Sequence, residues 1–118
     1  MKQRLVPDEL LELMAEKFRM LSDPTRLAIL RALMHAGEST VSEVVAATGH
    51  SVANVSKHLK QLATAGLLAR RKEGAFVKYH LDDPVIEKIC ELVCDSLRRD
   101  LEEQLRRAAG ALRKNKGN

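Results

Sequence analysis

Residues 51–62 read SVANVSKHLKQL. Val52, Val55, Leu59 and Leu62 recur at helical spacing, and every side chain between them is short, uncharged-polar or cationic. A helix lying in a DNA groove meets phosphate on both sides, so a carboxylate on its outer face would be repelled. Ser51, which caps this helix, and Ala53 and Ser56 are small enough for close approach to a duplex. Asn54, Lys57, His58 and Gln61 carry groups that can hydrogen-bond base edges. Lys60, Arg71, Lys72 and Lys78 suit phosphate contact, which supplies affinity but no sequence information.

The acid-free region is wider than one helix. From Val44 to Lys72 there is neither Asp nor Glu, while Lys57, Lys60, Arg70, Arg71 and Lys72 fall inside it with His50 and His58. The formal charge of the 118-residue chain is only +4, so a modest sum conceals a separation of sign. A solvated basic face is the plain alternative. The charge coincides with a helix-turn-helix pattern, however, and that context favours a nucleic-acid partner.

A second candidate is CELVC, with Cys90 and Cys94 four apart on one helix face. Two thiolates there could grip arsenite, or bind Zn, Cd or Pb with further ligands such as Glu87, Glu91 or Asp95. Direct bridging of the two within one helix is strained, so an oxidant sensed at Cys90 and Cys94 would more easily leave a bridge between subunits or a persulfide link. Cys is also a small hydrophobe that is often buried, so core packing competes with sensing.

The elements that position these residues are legible from period and caps. Leu10, Leu13, Met14, Phe18 and Leu21 predict a helix over 8–21. Asp23 and Pro24 suit the cap and first position of a second helix, which ends at Gly37. TVSE, from Thr40 to Glu43, reads as a capping box opening a third helix that Gly49 ends. Ser51 then caps the fourth, and a tight Gly turn between two short helices is the helix-turn-helix pattern.

Beyond Gly66 the period changes to alternation, with Val77, Tyr79 and Leu81 on one side and Phe76, Lys78 and His80, expected to face solvent, on the other. Glu73 and Gly74 suit the turn of a hairpin, which would act as a wing along the DNA backbone. Ile86, Ile89, Cys90, Val93, Leu97, Leu101, Leu105, Ala108 and Leu112 then form one long helical stripe. One small domain has little room to bury such a helix, and a partner chain supplies that room. The basic tail over 114–118 is expected to lack order.

LSDPTRLAIL and VSKHLKQLATAGLLARRKEGAFVKYHL resemble the entry helix, recognition helix and wing of the ArsR/SmtB (arsenic-repressor) winged helix-turn-helix regulators. The resemblance spans about residues 15–95. It implies a homodimer joined through the first and last helices, a double-stranded DNA operator with two-fold symmetry, and repression relieved by an inducer. Three sensing sites of that family are missing from their matching positions. Thr40 and Ser42 stand where one type has a Cys-x-Cys pair. Asp83 fits the acid of another, but Val85, Ser96 and Arg99 replace its histidines. Arg31 replaces the first Cys of a redox type.

The expected fold is mainly α (α+β): a winged helix-turn-helix of about five helices with a two-stranded β-hairpin, in one domain over 1–113. Catalysis is not expected. His35, His50, His58 and His80 are scattered, with neither a Gly-rich phosphate loop nor a nucleophile elbow. A winged helix used only for protein contact would not need the basic face. No apolar run reaches membrane-spanning length and the N-terminus lacks a leader-like apolar core, so a cytoplasmic protein without a membrane partner is expected. An alternative regulator with no metal or redox input would answer to an organic ligand or another protein, leaving Cys90 and Cys94 as packing.

Overall fold

Four helix starts carry their own punctuation. In the computed structural model, which describes residues 6–116, helix α1 (Asp8–Leu21) begins after the extended Pro7 and has Asp8 and Glu9 in its first turn and Arg19 in its last. That order of charge complements the helix dipole. The Asp23 side chain caps α2 (Pro24–Ala36) by accepting from the Arg26 N–H at 3.2 Å. Thr40 and Glu43 form the full capping box of α3 (Val41–Thr48), with bonds of 3.1 and 3.2 Å. Ser51 Oγ accepts from the Asn54 N–H at the start of α4 (Val52–Thr64). Gly49 ends α3 in the left-handed region at φ 76, and this residue lets α4 leave in a new direction within two residues.

Three strands follow the order β1-β3-β2, all antiparallel: β1 (Glu38–Thr40), β2 (Leu68–Glu73) and β3 (Phe76–Leu81). The hairpin turns on Gly74 and Ala75, one residue later than the sequence suggests, because Glu73 already pairs with Phe76. Positive φ at Gly74 alone is the pattern of a II′ turn, whose twist matches that of the strands. The third strand, β1, adds to the two-stranded wing read from the sequence. Its three residues are too few to show alternation, and they are recruited by pairing with Tyr79 and its neighbours.

The core is built almost without aromatics. Ile29, Leu30 and Leu33 from α2, Val44 from α3, and Val55, Leu59 and Leu62 from α4 are each 1% exposed or less. Leu67, Leu68 and Tyr79 close it from the sheet side. Full burial of each such leucine contributes about 2–3 kcal/mol, and the seam at 55, 59 and 62 fixes which face of α4 looks outward.

The chain sorts into two compact units, Met1–Asp83 and Pro84–Asn118. Helix α5 (Pro84–Lys116), 33 residues long, forms the second unit. It is about 50 Å in length. Within the chain Val93, Leu97, Leu101, Leu105 and Leu112 lie exposed. The helix continues through Lys116, so residues 114–116 of the tail expected to lack order are helical, with Arg113 and Lys114 near the dipole's negative end. Gly117 and Asn118 lie outside the described residues, as do residues 1–5 with the leader-free N-terminus read from sequence. In the first unit Leu10, Leu13, Met14 and Phe18 of α1 are likewise exposed. Among the described residues no helix is long and apolar enough to cross a membrane.

Candidate nucleic-acid interface

Helix α4 is anchored by Val55, Leu59 and Leu62, and its opposite side is open. Ala53, Lys57 and Lys60 are exposed, and Asn54 and Ser56 are half-buried at the margin of that surface. Ser51 is exposed too, but its hydroxyl is committed to the cap. Val52 adds an exposed apolar side chain at the leading end.

His58 and Gln61 are placed differently from the sequence-based expectation. The His58 side chain is only 12% exposed. Its Nδ1 accepts from Arg26 Nε at 3.3 Å, and its Nε2 lies 3.8 Å from Asp23 Oδ2. Gln61 is exposed, but its Oε1 accepts from Arg26 Nη2 at 3.1 Å. Both side chains are turned toward the start of α2. Helical spacing placed them near the outer face, and a guanidinium from a distant segment drew them aside.

The wing has two faces of opposite electrostatic character. Residues directly across an antiparallel ladder share a face, so Arg71, Lys78, His80 and Glu38 lie together on the outer one. There Arg71 pairs with Glu38 at 2.7 Å and Glu73 at 3.0 Å, and Lys78 pairs with Glu73 at 3.3 Å. The Arg71 hydrogen bond holds the Glu38 carboxyl below the usual range, and Lys78 does the same to Glu73. The two cations expected to meet phosphate freely are therefore compensated. His80, expected to face solvent, is half-buried, with Nδ1 3.7 Å from Glu38 Oε2.

The inner face carries Leu68 and Tyr79 into the core, and Arg70 and Lys72 continue it outward. Arg70 lines an open cleft with Lys60, Thr64 and Tyr79, between α4 and the wing. Among the described residues Lys57, Lys60, Arg70 and Lys72 have no carboxylate within ion-pair distance, and all four are exposed. Arg70 lies in the acid-free window yet was not among the residues singled out there. Strand alternation outward from buried Leu68 is the signal that identifies it.

In α5, Cys90 is half-buried and Cys94 exposed, and neither is bridged. Burial pushes the Cys90 thiol up, away from the thiolate. Cys94 Sγ accepts from Arg98 Nη2 at 3.6 Å. Among the described residues no three His, Cys, Asp or Glu side chains gather as a metal site. Glu87, Glu91 and Asp95 thus do not complete one with the thiols, and Asp95 lies 3.6 Å from Arg98.

The helix-turn-helix domain family matches residues 21–71. The chain is 35% identical over 92 residues to the HTH-type transcriptional regulator KmtR of Mycobacterium tuberculosis, covering 78% of this chain and 68% of that protein. It is 33% identical over 86 residues to the arsenical resistance operon repressor of Escherichia coli, covering 73% of this chain and 74% of the repressor. Among solved structures it is similar to a homodimeric winged helix-turn-helix DNA-binding domain from Mycobacterium bovis, described as a possible ArsR-family transcriptional regulator. That match has a TM-score of 0.70 at 28% identity and covers 83% of this chain and 90% of the other.

Proposed function

The chain belongs to the ArsR/SmtB family of winged helix-turn-helix transcriptional regulators, and from that premise we propose that it is a homodimeric repressor of an operator with two-fold symmetry, released by an inducer. The family binds DNA and is not enzymatic. The observation that carries the proposal is the set of four uncompensated cations, Lys57, Lys60, Arg70 and Lys72, on the outer side of α4 and the adjoining face of β2.

In this reading α4 enters the major groove. Ser51, Ala53 and Ser56 keep the approach close, and Asn54 and Lys57 reach base edges. Lys60, Arg70 and Lys72 take phosphates on either side of the groove, with Arg71 and Lys78 contributing weakly because Glu38 and Glu73 already hold them. A second copy, joined through the apolar faces of α1 and α5, presents the same surface to a half-site one helical turn away, about 34 Å. Such a protein acts where the chromosome is, in the cytoplasm.

Salt titration tests the reading. Six phosphate-contacting cations in the dimer, Lys60, Arg70 and Lys72 from each protomer, predict that log K falls against log salt with a slope near −5. A slope near zero, or no binding to any duplex, defeats it.

The inducer proposed first is a thiophilic ion, arsenite or Zn, Cd or Pb, held in part by Cys90 and Cys94. The E. coli relative's name, an arsenical resistance repressor, supports that class. One protomer's described residues offer two thiols without a third ligand, so a complete site needs ligands from elsewhere in the dimer or a metalloid satisfied by few sulfurs. Partial burial and the raised Cys90 pKa favour a second reading, in which the thiols pack and an organic ligand or protein is the signal. Arsenite or zinc added to the protein–DNA complex separates them. Release that disappears in Cys90→Ser/Cys94→Ser supports sensing, and release that survives in that variant removes the thiols from the mechanism.

A further inference from the structure

Arg26 makes contacts that neither packing nor phosphate binding accounts for. Its Nε donates to His58 Nδ1 at 3.3 Å and its Nη2 to Gln61 Oε1 at 3.1 Å, and Nη1 reaches the Arg19 carbonyl at 3.4 Å. Its own N–H is fixed to Asp23 Oδ2, and the same oxygen lies 3.8 Å from His58 Nε2. His58 and Gln61 are three apart, hence neighbours on one face of α4. An acceptor Nδ1 places the neutral imidazole's proton on Nε2, toward Asp23.

From this arrangement we infer that Arg26 is a positioning residue for the recognition helix: a single guanidinium joins α4 to the beginning of α2 and the end of α1, and sets the rotation at which Asn54 and Lys57 meet DNA. The inference rests on the DNA-binding reading above. The apolar seam of Val55, Leu59 and Leu62 holds α4 against the core and sets which face looks outward, but hydrophobic contact has no direction and does not by itself fix the fine rotation within that face. Directed bonds do. A planar fork with five donors can hold two acceptors on α4 and a third at α1 at once, whereas an ammonium at the end of a flexible stem cannot reproduce that geometry. The Arg19 carbonyl belongs to the last turn of a helix proposed to lie in the dimer interface. A shift of α1 is therefore felt at the same guanidinium that holds α4.

The inference separates specificity from affinity. Phosphate contacts by Lys60, Arg70 and Lys72 do not depend on fine rotation, and base-edge contacts do. The probes are a duplex selected by the wild-type protein from a random-sequence pool and a scrambled duplex of the same length and composition, at one salt concentration. Arg26→Lys, which keeps the charge, is expected to bind the scrambled duplex within about twofold of wild type while its preference for the selected duplex falls by about tenfold. His58→Ala/Gln61→Ala, which leaves Arg26 in place, is expected to lose the same preference at all base pairs together. Adding Arg26→Lys to that pair is expected to cost nothing more, since the fork then has no partner on α4.

Full preference in Arg26→Lys overturns the inference. So does a further loss when the three substitutions are combined, or relaxation at a single base pair in His58→Ala/Gln61→Ala, which would make those side chains base readers. If Arg26→Lys fails to fold by its melting curve, the His58→Ala/Gln61→Ala selection pattern decides alone. A wild-type protein that selects no duplex defeats the DNA reading itself, a result distinct from any of these.

Discussion

Arg71 and Lys78 are direct partners across the wing ladder, and Glu73 holds both, at 3.0 and 3.3 Å. Two cations facing each other destabilise an antiparallel pair. Here Glu73 and Glu38 offset that repulsion by pairing with the two cations. Glu73→Gln is expected to free Lys78 and part of Arg71. Affinity for a scrambled duplex should rise several-fold, and the salt slope should steepen by about two. Fluorescence anisotropy across a salt series measures both. An unchanged slope would place the outer wing face away from the duplex.

The same network sets an acid limit on stability. Arg71 lowers the Glu38 pKa, Lys78 and Arg71 lower that of Glu73, and hydrogen bonds with Thr40 lower that of Glu43. In the folded state these carboxyls bind protons less readily than in the unfolded chain. Their contribution is thus complete at neutral pH, begins to fall as pH drops toward the ordinary value of 4.5, and is lost below the folded-state values. All three are solvent-facing, so the effect is a gentle acid limb. Melting midpoints from pH 7 downward should show that limb, and Glu38→Gln should flatten it. An identical limb in Glu38→Gln would remove this carboxylate from the acid response.

Arg70 and Arg71 are adjacent in sequence and opposite in role. Arg70 shares the cleft with Lys60, while Arg71 is neutralised by two acids. Arg70→Ala in both protomers should make the salt slope shallower by nearly two, and Arg71→Ala by less than half as much. The reverse order would mean that the outer face of the wing meets the backbone.

That contrast also marks where sequence reading reaches its limit. Caps are local: Asp23, Thr40 with Glu43, Ser51 and Gly49 act over three or four residues, and each lies where its spacing implies. The acid-free window is also local, and the exposed cations Lys57, Lys60, Arg70 and Lys72 all fall within it. It could not show that β1 brings Glu38 to Arg71 across 33 residues, because a strand of three residues has no period to read. Nor could it show Arg26 reaching Gln61 across 35 residues. DPTR announces a helix start through Asp23 and Pro24, and nothing in its spacing says which distant helix its arginine will hold. Arg70 was legible in principle, since period-two alternation from Leu68 puts it on the inner face.

Leu97 and Leu101 of α5 are 57% and 60% exposed within the chain. Exchanging them for glutamate should therefore change the stability of an isolated protomer little, as for other surface positions. In a two-fold dimer the same exchange puts four carboxylates into one apolar seam, where each buried leucine would otherwise contribute about 2 kcal/mol. Leu97→Glu/Leu101→Glu is expected to sediment as a monomer at concentrations where the wild type is a dimer, and its melting midpoint should no longer rise with protein concentration. Affinity for the selected duplex should fall by at least a hundredfold, because the second half-site is no longer met at high effective concentration. Scrambled-duplex affinity per protomer should change far less, since Lys57, Lys60, Arg70 and Lys72 are untouched. A variant that stays dimeric and binds as the wild type does would show that α5 is not the pairing surface.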